Sequence, residues 1–133
     1  MRFEDVELGD ELPERHPDVS LERVRTFVRA GHHDFPRFTD HEVARREGLP
    51  GAIVPGIMSQ ALLSAMIHAW APGARIRSLD TVFRTPMVVG TKPTCRAAVT
   101  DVDEDERTVE LDITMTTEDG VTSVLGTAIV AFA

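Results

Sequence analysis

The chain has 133 residues with 14 Lys and Arg against 22 Asp and Glu, a net charge of −8. An acidic balance with no basic run argues against a phosphate-backbone partner, so no nucleic acid is expected. Cys95 is the only cysteine, which rules out an intrachain disulfide and suits a reducing, cytoplasmic setting.

No repeat, low-complexity run or linker interrupts residues 1–133, so one domain is expected. Phe3, Val6, Leu8 and Leu12 with a Gly9-Asp10 turn read as an irregular edge segment. Ser20 is placed to cap a helix carrying Leu21, Val24, Phe27 and Val28 at helical spacing, with Gly31 as its stop. Thr39-Asp40-His41-Glu42 reads as a capping box opening a short helix through Arg46, ended by Gly48 and Pro50.

Pro55-Gly56 opens the most informative segment. Residues Ile57, Met58, Ala61, Leu62, Leu63, Ala65, Met66, Ile67, Ala69 and Trp70 are apolar on nearly every side, until Pro72-Gly73 stops the pattern. A helix apolar all round is a buried helix. The polar positions Gln60, Ser64 and His68 share one face, suited to a tunnel, a subunit interface or a backbone contact. The stretch is too short and too polar for a membrane span, and no membrane association is expected.

Strand patterns follow: Ile76–Thr85, Thr94–Val102, a strand with polar and apolar residues alternating from Thr108 to Met115, and Val121–Phe132, where Gly126 marks a bulge or bend. Asp103–Glu106 and Glu118-Asp119-Gly120 are the turns. A helical first half, one buried helix and an antiparallel meander make an α+β protein, with the hot-dog fold as the candidate: a long central helix wrapped by a sheet.

Four segments carry a resemblance. They are Phe3-Glu4-Asp5-Val6-Glu7-Leu8-Gly9-Asp10-Glu11-Leu12, the stretch Asp40 to Gly51, Ile53-Val54-Pro55-Gly56-Ile57-Met58, and Val82-Phe83-Arg84-Thr85-Pro86. In this order they resemble the MaoC-like dehydratases and (R)-specific enoyl-CoA hydratases, whose fold is a hot-dog. The resemblance implies a 2-enoyl or 3-hydroxyacyl thioester, carried by CoA or an acyl-carrier protein, as ligand. It also implies an Asp and a His, five residues apart, that hold and activate water. One group takes a proton from water and one delivers a proton to the α-carbon. Aligning Pro36 and Asp40 without a gap puts the family's Asp on His33, its Asn on Phe35 and its His on Phe38. A benzyl side chain moves no proton. Gly56, at the helix start, is left to offer its N–H to the thioester carbonyl. Ser64 matches a serine that lines the family site, and Arg84 is placed to approach CoA phosphates.

Three readings follow. The chain is the non-catalytic subunit of a heteromeric hydratase, with Phe38 shaping the pocket. Or it is an active homodimeric hydro-lyase using His33, with Asp34 as the carboxylate beside it. Or, in another class, it is a hot-dog thioesterase or an acyl-CoA-binding scaffold. The absence of Asp and Glu from Ile57–Trp70 counts against the thioesterase. The partner is a second copy or a catalytically complete MaoC-like subunit. No metal or cofactor is expected, because no ligand spacing occurs and no glycine-rich phosphate loop is present. Cys95 reads as a small core residue, and His16 and His41 as surface residues.

Overall fold

The computed structural model describes residues 1–133. After a 3-10 turn at Phe3–Asp5, the chain forms α1 (Leu21–Ala30), α2 (Pro36–Thr39), α3 (His41–Arg46) and α4 (Gly56–Trp70). The strands β1 (Arg75–Phe83), β2 (Thr94–Asp103), β3 (Thr108–Thr116) and β4 (Thr122–Ala131) follow. One antiparallel sheet runs in the order β1-β4-β3-β2. This is the hot-dog arrangement.

The simple meander holds only for β2 to β4. β1 pairs with β4 instead of β2, because residues 84–93 are occupied elsewhere. The Val54 N–H donates to the Met87 carbonyl at 2.8 Å and the Val89 N–H to the Ala52 carbonyl at 2.8 Å. That crossing carries the chain past the start of α4 to the far edge of the sheet. There the N-terminal segment closes β2, with bridges Glu11–Ala98 and Arg15–Cys95. The irregular edge segment expected from Phe3–Leu12 therefore covers one sheet edge, and β1 is left bare on the other.

The core cluster joins Met58, Leu63, Met66 and Ile67 of α4 to Leu111, Ile113 and Met115 of β3 and to Val124, Ala128 and Val130 of β4. α4 is not enclosed on every side. Ile57, Ala61, Ala65, His68 and Ala69 are exposed, Ile57 to 61%. A single four-stranded sheet reaches only one side of a helix, so an all-round apolar helix keeps a bare stripe within one chain.

Two local readings are corrected. The cap of α3 is Asp40, not Thr39: its Oδ1 accepts from the N–H groups of Glu42 and Val43 at 3.0 and 3.2 Å. Thr39 is already the last residue of α2, a short helix that the sequence did not announce and that Pro36 opens from a position where proline costs nothing. Gly126 makes no bulge. β4 passes through it in register opposite Thr81 and Ile113, and the irregularities fall at 76–78, 99–101 and 115–116. Glycine is needed there because a Cβ would collide with the Asp80 carbonyl oxygen.

Gly126→Ala is expected to destabilise the chain by about 3 kcal/mol, the upper range for overpacking, in urea denaturation. Cys95 is fully buried, and burial pushes its thiol up from 9.0 to about 11, against a smaller downward pull from Arg15. The unfolded chain therefore ionises first. This contribution is intact below pH 9.0 and lost as the pH rises towards about 11. Cys95→Ala is expected to flatten the fall in stability over that window, which amounts to roughly 2–3 kcal/mol, when the two proteins are compared by denaturation at stepped pH.

Candidate functional site at the start of the central helix

α4 begins without a side-chain cap. Pro55 holds the cap position, and its side chain offers no hydrogen-bonding group. The N–H groups of Met58 and Ser59 turn back to the Pro55 carbonyl at 3.0 and 3.2 Å, while those of Gly56 and Ile57 donate to no backbone group. Two free amides at the positive end of a 15-residue helix suit a developing negative charge. A Cβ on Gly56 would lie 3.0 Å from the Phe83 ring, so glycine lets that half-exposed ring lie against the helix start.

The preceding loop is fastened to this point. The Ile53 N–H donates to the Arg37 carbonyl at 3.0 Å, which sets α2, and with it Phe38, beside the strand leading into Gly56. His41 is half-buried instead of lying free on the surface, because its Nδ1 accepts from the Ala52 N–H at 3.0 Å. Nothing short of the tertiary fold makes that contact visible, since the two residues are 11 apart.

The His32-His33-Asp34 loop is built by the end of α1. Gly31 caps the helix in a right-handed conformation, and His32 takes the left-handed one at φ 57°. The His33 N–H reaches the Val28 carbonyl at 3.0 Å and the His32 N–H the Arg29 carbonyl at 3.2 Å. This is a Schellman motif, in which the residue two past the cap usually packs an apolar group back on the helix. His33 fills that role with its imidazole. The ring stands edge-on to Phe27 at 5.5 Å and to Phe38 at 6.0 Å, and Phe35 packs on Phe38 at 6.4 Å. A Cβ on Gly31 would come within 2.5 Å of the imidazole, so a larger residue there would displace the ring, while the backbone angles at Gly31 suit any residue.

His33 Nε2 is buried and has no hydrogen-bond partner. Asp34 does not supply one, because its carboxylate lies 3.7 Å from Arg29 at the surface. The structure thus brings His33, Phe38, Phe27 and Phe35 together and sends Asp34 away. Ser64 is half-buried on the flank of α4 that faces β1, the flank where Gln60 Nε2 donates to Thr81 Oγ1 at 2.9 Å. His68, four residues further, is exposed. Arg84 is exposed and lines a depression with Asp80, Val82 and Asp112. Those residues alternate with ones facing α4, so Arg84 lies towards the far face of the sheet.

The chain is similar over 99% of its length to a MaoC-like dehydratase of known structure, with a TM-score of 0.91 and 25% identity, and covers 42% of that chain. The chain has the MaoC-like hot-dog fold. It resembles an (R)-hydratase from A. caviae involved in PHA biosynthesis, with a TM-score of 0.89 and 23% identity over 97% of this chain and 98% of that one. The chain is also similar to the ChsH1-ChsH2 complex of Mycobacterium tuberculosis, with a TM-score of 0.87 and 19% identity over 96% and 99% of the two chains. In sequence, the chain is 29% identical over 85 residues to a mitochondrial 3-hydroxyacyl-[acyl-carrier-protein] dehydratase of Arabidopsis thaliana. That match spans 64% of this chain and 51% of the relative. No family model matches the chain. No helix is long and apolar enough to cross a membrane.

If His33 serves as the helix-end packing group, an apolar replacement keeps its contacts and removes an unsatisfied buried nitrogen. His33→Leu is expected to hold or raise stability, by up to about 1–3 kcal/mol in chemical denaturation, whereas His33→Ala lowers it.

Proposed function

We propose that this chain is a MaoC-like hydratase-family subunit that binds a 2-enoyl or 3-hydroxyacyl thioester without supplying the proton-handling pair, and that its partner is a catalytically complete MaoC-like subunit. The observation that carries the reading is the cluster of Phe27, His33 and Phe38, in which the only titratable group has neither a carboxylate nor any other partner. Hydration needs a base for water and an acid for the α-carbon. Phe38 is neither, and Asp34 is paired with Arg29.

The rest of the frame supports thioester binding. The free amides at Gly56 are suited to a polarised carbonyl, Ser64 to the acyl side, and Phe38 to a closed, dry wall. Arg84 lies towards the face of the sheet away from Gly56, so it is proposed as a contact only for a distal phosphate of a CoA arm that passes round the bare β1 edge. The bare stripe of α4 and the free edge of β1 are the surfaces a second subunit would cover, since an open edge and an apolar helix face are both costly to leave in water.

One observation favours a second reading. The buried Nε2 of His33 has no partner, and a turn of the ring towards a bound substrate would make the chain a homodimeric hydro-lyase with a single acid/base group.

The purified chain, mixed with a short 2-enoyl-CoA, is expected to leave the conjugated-enone absorbance unchanged, and to gain activity on co-expression with a complete MaoC-like subunit with which it co-purifies. Turnover by the chain alone that disappears in His33→Ala would establish the second reading instead. The double change His33→Asp with Phe38→His restores both residue types and is expected to create measurable hydratase activity, read by the same absorbance, in a protein whose circular dichroism is unchanged.

A further inference from the structure

On the flank of α4 away from Ser64 lies a cavity of about 500 Å³ that the proposed function leaves unused. Its size falls towards the low end of the range of small-molecule sites, about 300–1,000 Å³. Met58 and Leu62 of α4, Phe27 of α1 and Cys95 of β2 give it apolar walls. Leu62 and the Gln60 that reaches β1 are two residues apart, hence about 200° apart around the helix axis, so this cavity and the Gly56–Ser64 flank are separate.

The mouth is cationic, although the chain as a whole carries −8. Arg15, Arg23 and His16 line it with a single carboxylate, Asp18. Asp18 is paired with Arg23 at 3.6 Å. Glu14 is the only other carboxylate paired nearby, and it is engaged by Arg96 at 2.8 Å and approached by His16 at 3.8 Å. Arg15 forms no ion pair and no side-chain hydrogen bond. Its backbone is fixed to Cys95 by two hydrogen bonds, at 3.1 and 2.8 Å. Arg15 is exposed and lines the mouth of the cavity beside Cys95. With the Arg23–Asp18 pair neutral, one uncompensated positive charge remains over an apolar hollow.

We propose that this cavity binds an amphipathic monocarboxylate, a free fatty acid of medium chain length, with its carboxylate on Arg15 and its tail against Met58, Leu62 and Phe27. One net charge matches a carboxylate better than a phosphate dianion, and a planar guanidinium takes a carboxylate by two parallel hydrogen bonds. The site shares the Phe27 ring with the His33 cluster but uses none of the groups proposed to hold the thioester.

Decanoate, kept below its micellar concentration, is titrated into ¹⁵N-labelled full chain while amide shifts are followed. Saturable shifts at Arg15, Thr26, Leu62 and Ala65 are expected. Decanol, and decanoate with Arg15→Gln, are expected to bind about tenfold or more weakly, as loss of a charge-assisted hydrogen bond implies, while Arg15→Lys, which keeps the charge but not the two parallel bonds, is expected to bind between the two. Arg15→Gln is expected to keep the parent Tm. No saturable shift, equal binding of decanol, or Arg15→Gln binding as tightly as the parent would each overturn the proposal. Enoyl-CoA turnover is not part of this readout, so failure here leaves the thioester reading standing, and the reverse also holds.

Discussion

Leu63, Met66 and Ile67 of α4 share one core with Leu111, Ile113 and Met115 of β3, all at 2% exposure or less, and the rest of the molecule is arranged around that contact. Each such side chain contributes roughly 1.5–3 kcal/mol by leaving water. Because these residues recur along one side of α4, the helix is held at a fixed rotation. That rotation decides which flank Gln60 turns to β1, which flank Met58 and Leu62 turn to α1, and which stripe is left bare. Gly126 adds a second close approach, since only the absence of a Cβ lets β4 pass the Asp80 carbonyl of β1.

The helix start is set by a second, smaller lock. Residues 52–54 bond to 87–89, and Ile53 bonds to Arg37, so α2 with Phe38 is tied to the segment that leads into Gly56, while Phe83 at the end of β1 lies on Gly56 itself. A site of this kind can lose its proton-transfer groups without losing its frame. The frame is held by main-chain bonds that do not depend on which side chains stand at 33 and 38. Phe38 then contributes apolar packing, and His33 closes the end of α1 on Phe27. The polar nitrogen left over is the one feature that apolar packing does not explain.

The acidic surface and the cationic hollow are consequences of the same layering. Most of the acidic residues are exposed and solvated, whereas Arg15 is drawn over the α1–α4 groove by the pairing of residues 9–15 with the edge of β2. A segment that protects a sheet edge therefore also positions a charge. The opposite edge, β1, has no such cover, and it is continuous with the bare stripe of α4.

Much of the fold is legible in the residues themselves, because it rests on local periodicity. The apolar run from Ile57 to Trp70 fixed a long central helix, the alternation from Thr108 to Met115 fixed a half-wet strand, and Ser20 and Gly31 marked the ends of α1 to the residue. That Phe38 moves no proton was legible too, since it is a property of the residue and not of its surroundings. The pairing of β1 with β4, the close approach at Gly126, the staple from His41 to Ala52 and the fate of the His33 and Asp34 side chains were decided only in three dimensions. Each depends on groups distant in the chain, or on rotation about side-chain bonds that spacing does not encode. Asp34 turned to Arg29 and His33 to Phe27 because α1 ended in a Schellman turn, and that turn placed its left-handed residue at a histidine where the sequence offered a glycine one step earlier.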